Sequence, residues 1–262
     1  MQKPILALTN PDNIPLEELA NKINDEFLSI MQDYDPITND HRLPSYDDQP
    51  IHVNPSEAFS KLSQLQVNKA SGPDDASSWV LNKFAVILAT PISSILNCSF
   101  NEETVPTNWK RANVITIPKT KPVKDINKNL RPISLTPVIS KVAEEFIIEK
   151  DLKQAILSVI DSNQYGGVEK SFACMALISM VHQWSKATDG NGASVRVTLF
   201  DFRKAFDLVD QNILLNKLKT LDIKLSVLNW IVDFLTNRQQ RIKITDNLFS
   251  QFSRSGRSTP RQ

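Results

Sequence analysis

Apolar residues recur at helical spacing in several stretches of the chain, and this pattern predicts its helices. In residues 15–31, for example, the apolar side chains of Ile23 and Phe27 fall on one helical face. Asn54 is suited to cap a second helix, because its side-chain oxygen accepts a hydrogen bond from a backbone N–H of the first turn. The remaining predicted helices are residues 55–65, 77–100 with an interruption at Pro91, 137–157, 171–185, a helix capped by Asp210, and 225–235.

Three shorter apolar runs are typical of strands. Residues 112–117 end at Pro118, which cannot continue a strand ladder, and residues 240–244 alternate between polar and apolar side chains. Residues 195–199 (VRVTL) are rich in β-branched side chains and predict a buried strand. Helices and strands mixed along the chain in this way predict a mixed α/β fold of the α+β type.

An aspartate, Asp201, follows the predicted strand at residues 195–199. In α/β proteins, ligands and metals gather beyond the strand ends, at the rim of the sheet. Phosphoryl transfer uses a carboxylate at such a place, because it holds a divalent cation against the triphosphate. An aspartate at a strand end is also a common turn or cap residue, so position alone leaves both interpretations open.

Composition is that of a globular chain, with 262 residues, 41% hydrophobic and 23% charged. Its two cysteines, Cys98 and Cys174, give neither a disulfide framework nor metal-ligand spacing, so we expect no disulfide partners and an intracellular chain, nuclear or cytoplasmic. No apolar run reaches 18 residues, so we expect no membrane partner.

Charge is distributed unevenly along the chain. Acidic residues outnumber basic ones eleven to three in residues 1–57, whereas residues 109–131 carry seven cations against Asp125 alone. A basic segment near a catalytic carboxylate suits a polyanionic substrate. An isolated basic run is also commonly a solvated loop, and the sequence leaves that alternative open.

Five sequence blocks resemble, in order and spacing, the reverse transcriptases of non-LTR (LINE-like) retrotransposons. They extend from about residue 69 to about residue 244 with their flanking segments, and five blocks in the family's order are far more specific than one. The blocks are residues 69–74 (KASGPD), 106–119 (PTNWKRANVITIPK), 129–135 (NLRPISL), 164–167 (QYGG) and 200–207 (FDFRKAFD).

The resemblance implies a role for each matching residue of a polymerase centre. Asp201 would be the catalytic aspartate that holds Mg²⁺, or Mn²⁺, with help from the backbone carbonyl of Phe202. Phe206 would be the steric gate against the 2′-hydroxyl of a ribonucleotide. Lys119 and Arg131 would bind the incoming nucleotide, a task suited to an ammonium and a forked guanidinium.

The same resemblance implies an RNA template, a DNA primer and deoxynucleoside triphosphates as partners. The candidate nucleic-acid contacts are Lys110, Arg111, Gln164 and Gly166. Other roles also fit some residues: Phe206 is suited to a hydrophobic core and Arg131 to a structural ion pair. Asp207 is suited to a local hydrogen bond.

The resemblance also implies a domain organisation, that of the fingers and a partial palm of a right-hand polymerase fold, without a thumb. Residues 1–66 form an acidic helical N-terminal segment to which no chemistry is assigned. Residues 67–193 correspond to the fingers, and residues 194–262 to a partial palm that ends before the second catalytic aspartate block.

Two departures from the family pattern argue against catalysis by this chain. Residues 168–177 replace a run that is rich in Ser and Thr in the family, and no paired-aspartate block follows. Because one carboxylate cannot organise two cations, we expect the chain to be inactive alone. Residues 258–261 read Ser-Thr-Pro-Arg. Codons that encode the family's Gly-Val-Pro-Gln-Gly turn encode Ser-Thr-Pro-Arg when they are read in a shifted frame. We therefore expect a frameshift here, which the nucleotide sequence would reveal.

Two other hypotheses fit the same sequence. The first is a non-enzymatic module that binds RNA or DNA through the basic residues 110–131. The second is a non-functional retrotransposon remnant whose truncated palm exposes apolar surface and aggregates.

Overall fold

A computed structural model describes residues 14–30, 34–45, 49–120, 123, 125–190, 193–202, 205–206, 208–245 and 247–254. Within these residues the fold is mixed α/β, as predicted, with ten α-helices and one five-stranded sheet. The predictions for Asp207 and for residues 258–261 lie outside the described residues. Each helix among the described residues is too short or too polar to span a lipid bilayer.

Most helices lie close to their predicted positions, and local capping explains where several begin. They are α1 (Leu16–Ser29), α2 (Pro55–Ser63), α3 (Ser78–Lys83), α4 (Ala85–Asn101), α5 (Ile126–Asn129), α6 (Val138–Ile147), α7 (Lys153–Val159), α8 (Ala173–Thr188), α9 (Gln211–Leu218) and α10 (Leu225–Leu235). A π-helical turn, Ile148–Leu152, joins α6 to α7. The predicted caps Asn54 and Asp210 are confirmed, since their side chains accept hydrogen bonds from first-turn N–H groups of α2 and α9.

The helix predicted over residues 77–100 is interrupted at Phe84 and not at Pro91, so that part of the prediction is wrong. α3 ends at Lys83, and α4 runs through Pro91 without a break. Proline removes the hydrogen bond to the carbonyl four residues earlier, that of Ile87. Both residues lie on the exposed side of α4, so burial does not add to the cost of the lost hydrogen bond.

The sheet combines parallel and antiparallel pairing. Its strands are β1 (Arg111–Pro118), β2 (Leu130–Leu135), β3 (Gln239–Thr245), β4 (Leu248–Phe249) and β5 (Ser253–Arg254). The order is β2-β1-β3-β4, with β5 also paired to β3. β1 and β2 form an antiparallel hairpin, whereas β1 and β3 run parallel. The predictions of β1 and β3 are confirmed.

The strand register divides the side chains of the sheet between two faces. Side chains alternate along a strand, and directly paired residues share a face. Val114 and Ile242 are paired and buried on the covered face, where Leu19 and Ile23 of α1 pack against them. The opposite face, which we call the open face, consists of the odd-numbered residues of β1, β2 and β3 together with Phe249 and Arg254, the partners of Lys243 and Gln239.

The largest hydrophobic core lies among the helices. It includes residues of α2, α3, α4, α6 and α10, and Trp230 of α10 lies within it. The Trp230 ring packs edge-on against Phe100, with centroids 5.9 Å apart, and stacks on Phe234 at 5.3 Å. Its indole N–H donates to Ser99 Oγ at 3.0 Å, so its polar atom is satisfied within the core.

The N-terminal residues share cores with the rest of the chain. α1 covers one face of the sheet, and Val53 belongs to the large core. Ile37 packs with Leu215 and Val232 in a third core. A boundary between residues 66 and 67 therefore does not separate hydrophobic cores, and the division into domains stays a prediction.

The turn of residues 69–74 lies directly against the chain that leaves β2. A Cβ added to Gly72 would lie 2.5 Å from the backbone nitrogen of Pro137 and 2.6 Å from the carbonyl carbon of Thr136. Only glycine allows this close approach without a backbone shift. The contact places the first of the five sequence blocks beside the start of α6.

Helix α8 forms near its predicted position, but none of its residues is buried. Its apolar side chains Leu177 and Ile178 are more than half exposed. Amphipathic periodicity predicted the helix correctly, and none of its side chains belongs to the three described hydrophobic cores.

Candidate active site

The segment that carries Asp201 is not a strand, so the prediction of a buried strand over residues 195–199 is wrong. Residues 193–202 form neither helix nor strand, and Leu199 and Phe200 are 86% and 84% exposed. A strand requires a neighbour that pairs with its N–H and C=O groups, and none of the five described strands pairs with this segment. β-Branched residues suit a sheet surface but do not by themselves supply a partner.

The carboxylate of Asp201 is exposed to solvent. The described residues contain no group of three or more Asp, Glu, His or Cys side chains that could hold a metal ion. Asp201 and the Phe202 carbonyl together offer too few oxygen ligands for a site with two divalent cations. The described residues alone therefore do not fit a two-metal centre, and the role of Asp201 as a metal ligand stays a prediction.

Phe206 is 95% exposed, so the alternative that it belongs to a hydrophobic core is wrong. Phe202 is likewise 81% exposed. Exposure of two large rings in one short segment leaves them available to a ligand or to another part of a protein. The role of Phe206 as a steric gate stays a prediction.

The β1–β2 hairpin brings the two predicted nucleotide-binding cations to the same end of the sheet. The backbone N–H of Lys119 donates to the carbonyl of Asn129 at 2.7 Å, immediately beyond β1. Arg131 of β2 is paired with Ile117 of β1. The side chains of Lys119 and Arg131 are both exposed. No ion pair links Arg131 to a described residue, so the structural ion-pair alternative finds no support there.

Lys110 and Arg111 are neighbours in sequence, but the fold separates their side chains. The Lys110 ammonium lies 2.8 Å from Asp233 Oδ2, and the two side chains are only 11% and 10% exposed. The backbone N–H of Val105 donates to the same oxygen at 2.7 Å. Lys110 is therefore committed to a buried ion pair, whereas Arg111 lies on the open face.

Gln164 and Gly166 form an exposed turn. The side-chain amide of Gln164 donates to the carbonyl of Gly166 at 2.7 Å, and Gly167 adopts the left-handed region at φ +75°. This hydrogen bond gives the block a local structural role, and its predicted contact with nucleic acid stays a prediction.

Every cation of the five strands lies on the open face. The strands contain no aspartate or glutamate, so no carboxylate from the strands opposes these charges. Sequence reasoning identified two of these residues as site candidates but missed the others, although the alternation of Arg241 and Lys243 within β3 signalled a shared face. The five cations are Arg111, Arg131, Arg241, Lys243 and Arg254.

Arg241 is held between two aromatic rings on this face. Its guanidinium carbon lies 4.0 Å from the ring centroid of Phe249 and 4.5 Å from that of Phe252. Its Nε–H donates to Asn113 Oδ1 at 2.8 Å. Burial lowers the pKa of Arg241. The negative charge of Asp75 acts to raise this pKa, whereas the positive charge of Arg111 lowers it further. Arginine stays charged at neutral pH even so.

Comparison with known proteins points to one family. The family described as "Reverse transcriptase (RNA-dependent DNA polymerase)" matches residues 117–258, more than half of the chain. The "Transposon TX1 uncharacterized 149 kDa protein" of Xenopus laevis is 25% identical over 263 residues, which cover 94% of this chain and 20% of that protein. The chain therefore spans about a fifth of the length of that relative.

Proposed function

Because the chain belongs to the reverse transcriptase family, we propose that it represents the fingers and part of the palm of a LINE-like retrotransposon polymerase. The observation that carries this proposal is the family match over residues 117–258, which contains the hairpin cations and the Asp201 block. The transposon relative supports the retrotransposon class. By descent, the activity is RNA-directed DNA synthesis from deoxynucleoside triphosphates on a primed RNA template.

Within this proposal the β1–β2 hairpin binds the triphosphate. Lys119 and Arg131 are exposed at one end of the sheet, where an ammonium and a forked guanidinium suit phosphate oxygens. Asp201 and Phe206 act at the sugar and the reacting phosphate. A divalent cation would neutralise phosphate charge there, but one carboxylate does not complete its site, so we propose that the isolated chain does not polymerise DNA.

The remaining candidate residues contact template or primer in this proposal. Arg111 is on the open face, and Gln164 and Gly166 are in an exposed turn. Lys110 takes no part, because a phosphate contact would require breaking its buried ion pair with Asp233.

A non-enzymatic nucleic-acid-binding module is the second candidate function. The open face favours this function, because every Arg and Lys side chain of the five strands lies on that face and the strands contain no Asp or Glu. Such a surface binds a polyanion without any need for Asp201.

Nucleotide binding tests the hairpin assignment. We expect the chain to bind a fluorescent deoxynucleoside triphosphate, and Lys119→Ala and Arg131→Ala each to weaken binding by about tenfold, because each removes a charge-assisted hydrogen bond. Fluorescence titration measures the dissociation constant. The control, Lys83→Ala in α3, removes an exposed charge far along the chain from the hairpin and should change binding less than twofold. If all three variants lost the same affinity for the nucleotide, the hairpin would not be the nucleotide-binding site.

Primer extension tests the catalytic assignment. With a DNA primer on an RNA template, Mg²⁺ and all four deoxynucleoside triphosphates, we expect no incorporation above background, because the described carboxylates do not complete a two-metal site. Incorporation that Asp201→Ala abolishes would disprove the predicted inactivity and support the assignment of Asp201. Incorporation that survives Asp201→Ala would exclude Asp201 as the catalytic aspartate.

A further inference from the structure

Helix α4 carries no charged residue, although one side of it is exposed to solvent. Its 17 residues contain no Asp, Glu, Lys or Arg. The opposite side packs in the largest core through Ala89, Ile92 and Leu96. A helix that lies on a core normally places charged and polar residues on its exposed face. The exposed face of α4 departs from this rule.

This exposed face is an apolar stripe. Val86 and Ile87 are 77% and 72% exposed, and Ile95 is 47% exposed. Pro91 lies between Ile87 and Ile95 at helical spacing and is also exposed. Phe84, immediately before the helix, extends the stripe. We call Phe84, Val86, Ile87, Pro91 and Ile95 the α4 stripe. Large apolar residues grouped on one surface mark sites of association.

The α4 stripe is bounded by one charge of each sign. Lys83 precedes it and Glu102 follows it, and residues 84–101 between them contain no charge. Both side chains are exposed, and no ion pair joins either of them to a described residue. A surface with opposite charges at its two ends is complementary to a second copy of itself that runs in the opposite direction.

We propose that the α4 stripe is the interface of a homodimer, in which α4 packs antiparallel on α4 of a second copy. A twofold axis near Pro91 places Ile87 of each copy against Ile95 of the other, because both lie four positions from the proline. The same axis places Lys83 within about one helical turn of Glu102 of the second copy. Antiparallel helices also set opposite ends of their dipoles side by side.

The polar groups of this face are compatible with burial. The Ser94 hydroxyl, which is on the exposed side, donates to the Thr90 carbonyl at 3.1 Å. Pro91 leaves the Ile87 carbonyl without its helical donor. Because Ser94 of the second copy lies on the facing helix, its hydroxyl can rotate and donate to that carbonyl when water is excluded.

The size of the stripe predicts a weak dimer. α4 has 17 residues, so it is about 25 Å long and about 10 Å wide. Its exposed face is smaller than the roughly 800 Å² that each partner buries in a standard interface. We therefore expect a dissociation constant on the order of 10 µM, far weaker than that of an obligate dimer.

Sedimentation equilibrium of the full chain between about 1 and 200 µM tests the proposal. We expect a monomer–dimer equilibrium without larger species, because a twofold interface closes at two copies. Ile87→Glu should weaken dimerisation more than about tenfold, since it places an unpaired carboxylate in an apolar interface. The helix should still form, because glutamate favours helices and suits the first turn of α4. Circular dichroism checks this.

Two further variants show which surface associates and in which direction. The matched control, Ile178→Glu, changes an isoleucine of α8 that is 69% exposed and should alter the dissociation constant less than about threefold. Ile87→Glu with Ile95→Lys places each carboxylate against an ammonium of the other copy, and should restore dimerisation to within about threefold of the original chain. A parallel dimer would bring like charges together and stay dissociated.

A chain that stays monomeric at about 200 µM would overturn the proposal, and so would association beyond two copies. Unchanged dimerisation of Ile87→Glu, or a loss confined to Ile178→Glu, would also overturn it. A double variant that dimerises no better than Ile87→Glu would exclude the antiparallel arrangement. Dimerisation requires neither nucleotide nor template, so failure of this proposal and failure of the proposed function are distinguishable.

Discussion

Replacing Lys110 by alanine should lower the free energy of unfolding by about 3–5 kcal/mol. The substitution leaves the Asp233 carboxylate buried with one remaining hydrogen bond described for it, from the Val105 N–H. An uncompensated buried charge is among the most destabilising changes in a protein interior. Urea denaturation followed by circular dichroism at neutral pH measures the loss.

The double variant Lys110→Met with Asp233→Asn is the informative control. It removes both charges while the asparagine oxygen still accepts from Val105, so we expect it to be more stable than Lys110→Ala. Lys153→Ala, which breaks the exposed pair between Lys153 and Glu169, should leave the free energy of unfolding nearly unchanged, because solvent screens exposed ion pairs. If Lys110→Ala is no less stable than Lys153→Ala, the buried pair does not stabilise the fold.

Replacing Trp230 by alanine should cost about 3–5 kcal/mol, because it opens a cavity in the largest core. The indole contacts the Phe100 and Phe234 rings and donates to Ser99. Trp230 is only 2% exposed, so nearly all of its surface is packed against neighbouring atoms that the substitution would leave without contacts. Circular dichroism in urea is again the measurement, because the substitution itself alters tryptophan fluorescence.

Two further variants identify which property of Trp230 matters. Trp230→Phe keeps a ring but loses the N–H, and Ser99 keeps its bond to the Thr104 carbonyl, so we expect a smaller loss of about 1–2 kcal/mol. Trp79→Ala removes an indole that is 50% exposed and should cost less than about 1 kcal/mol. Similar losses for Trp79→Ala and Trp230→Ala would contradict the assigned core packing.

Local signals were the reliable part of the sequence. The caps Asn54 and Asp210 were predictable because each side chain bonds to N–H groups only two or three residues later in the chain. The same local reasoning missed β2, whose Pro132 argues against a strand interior. Among the described strands, β2 pairs only with β1, and an edge strand tolerates proline because one side of it makes no ladder bonds.

The predictions that failed are those that depend on contacts between residues far apart in the sequence. Residues 195–199 have the composition of a strand, but composition does not provide a neighbouring strand. Lys110 looks equivalent to Arg111 in sequence, yet its partner Asp233 is more than a hundred residues away. The contact of Arg241 with the rings of Phe249 and Phe252 likewise depends on the pairing of β3 with β4 and β5, which periodicity alone does not specify.

The parallel pairing of β1 with β3 determines when the sheet can fold during synthesis. Arg111 pairs with Gln239, 128 residues later, so β1 leaves the ribosome long before its partner exists. α1, the first of the described helices, also packs on β3, so it is made well before its partner strand. Pairing across such a separation is slow, and the apolar stripe of α1 is exposed meanwhile. We therefore expect the sheet to be the last of the described layers to close, so aggregation of the nascent chain is most favoured before β3 is made.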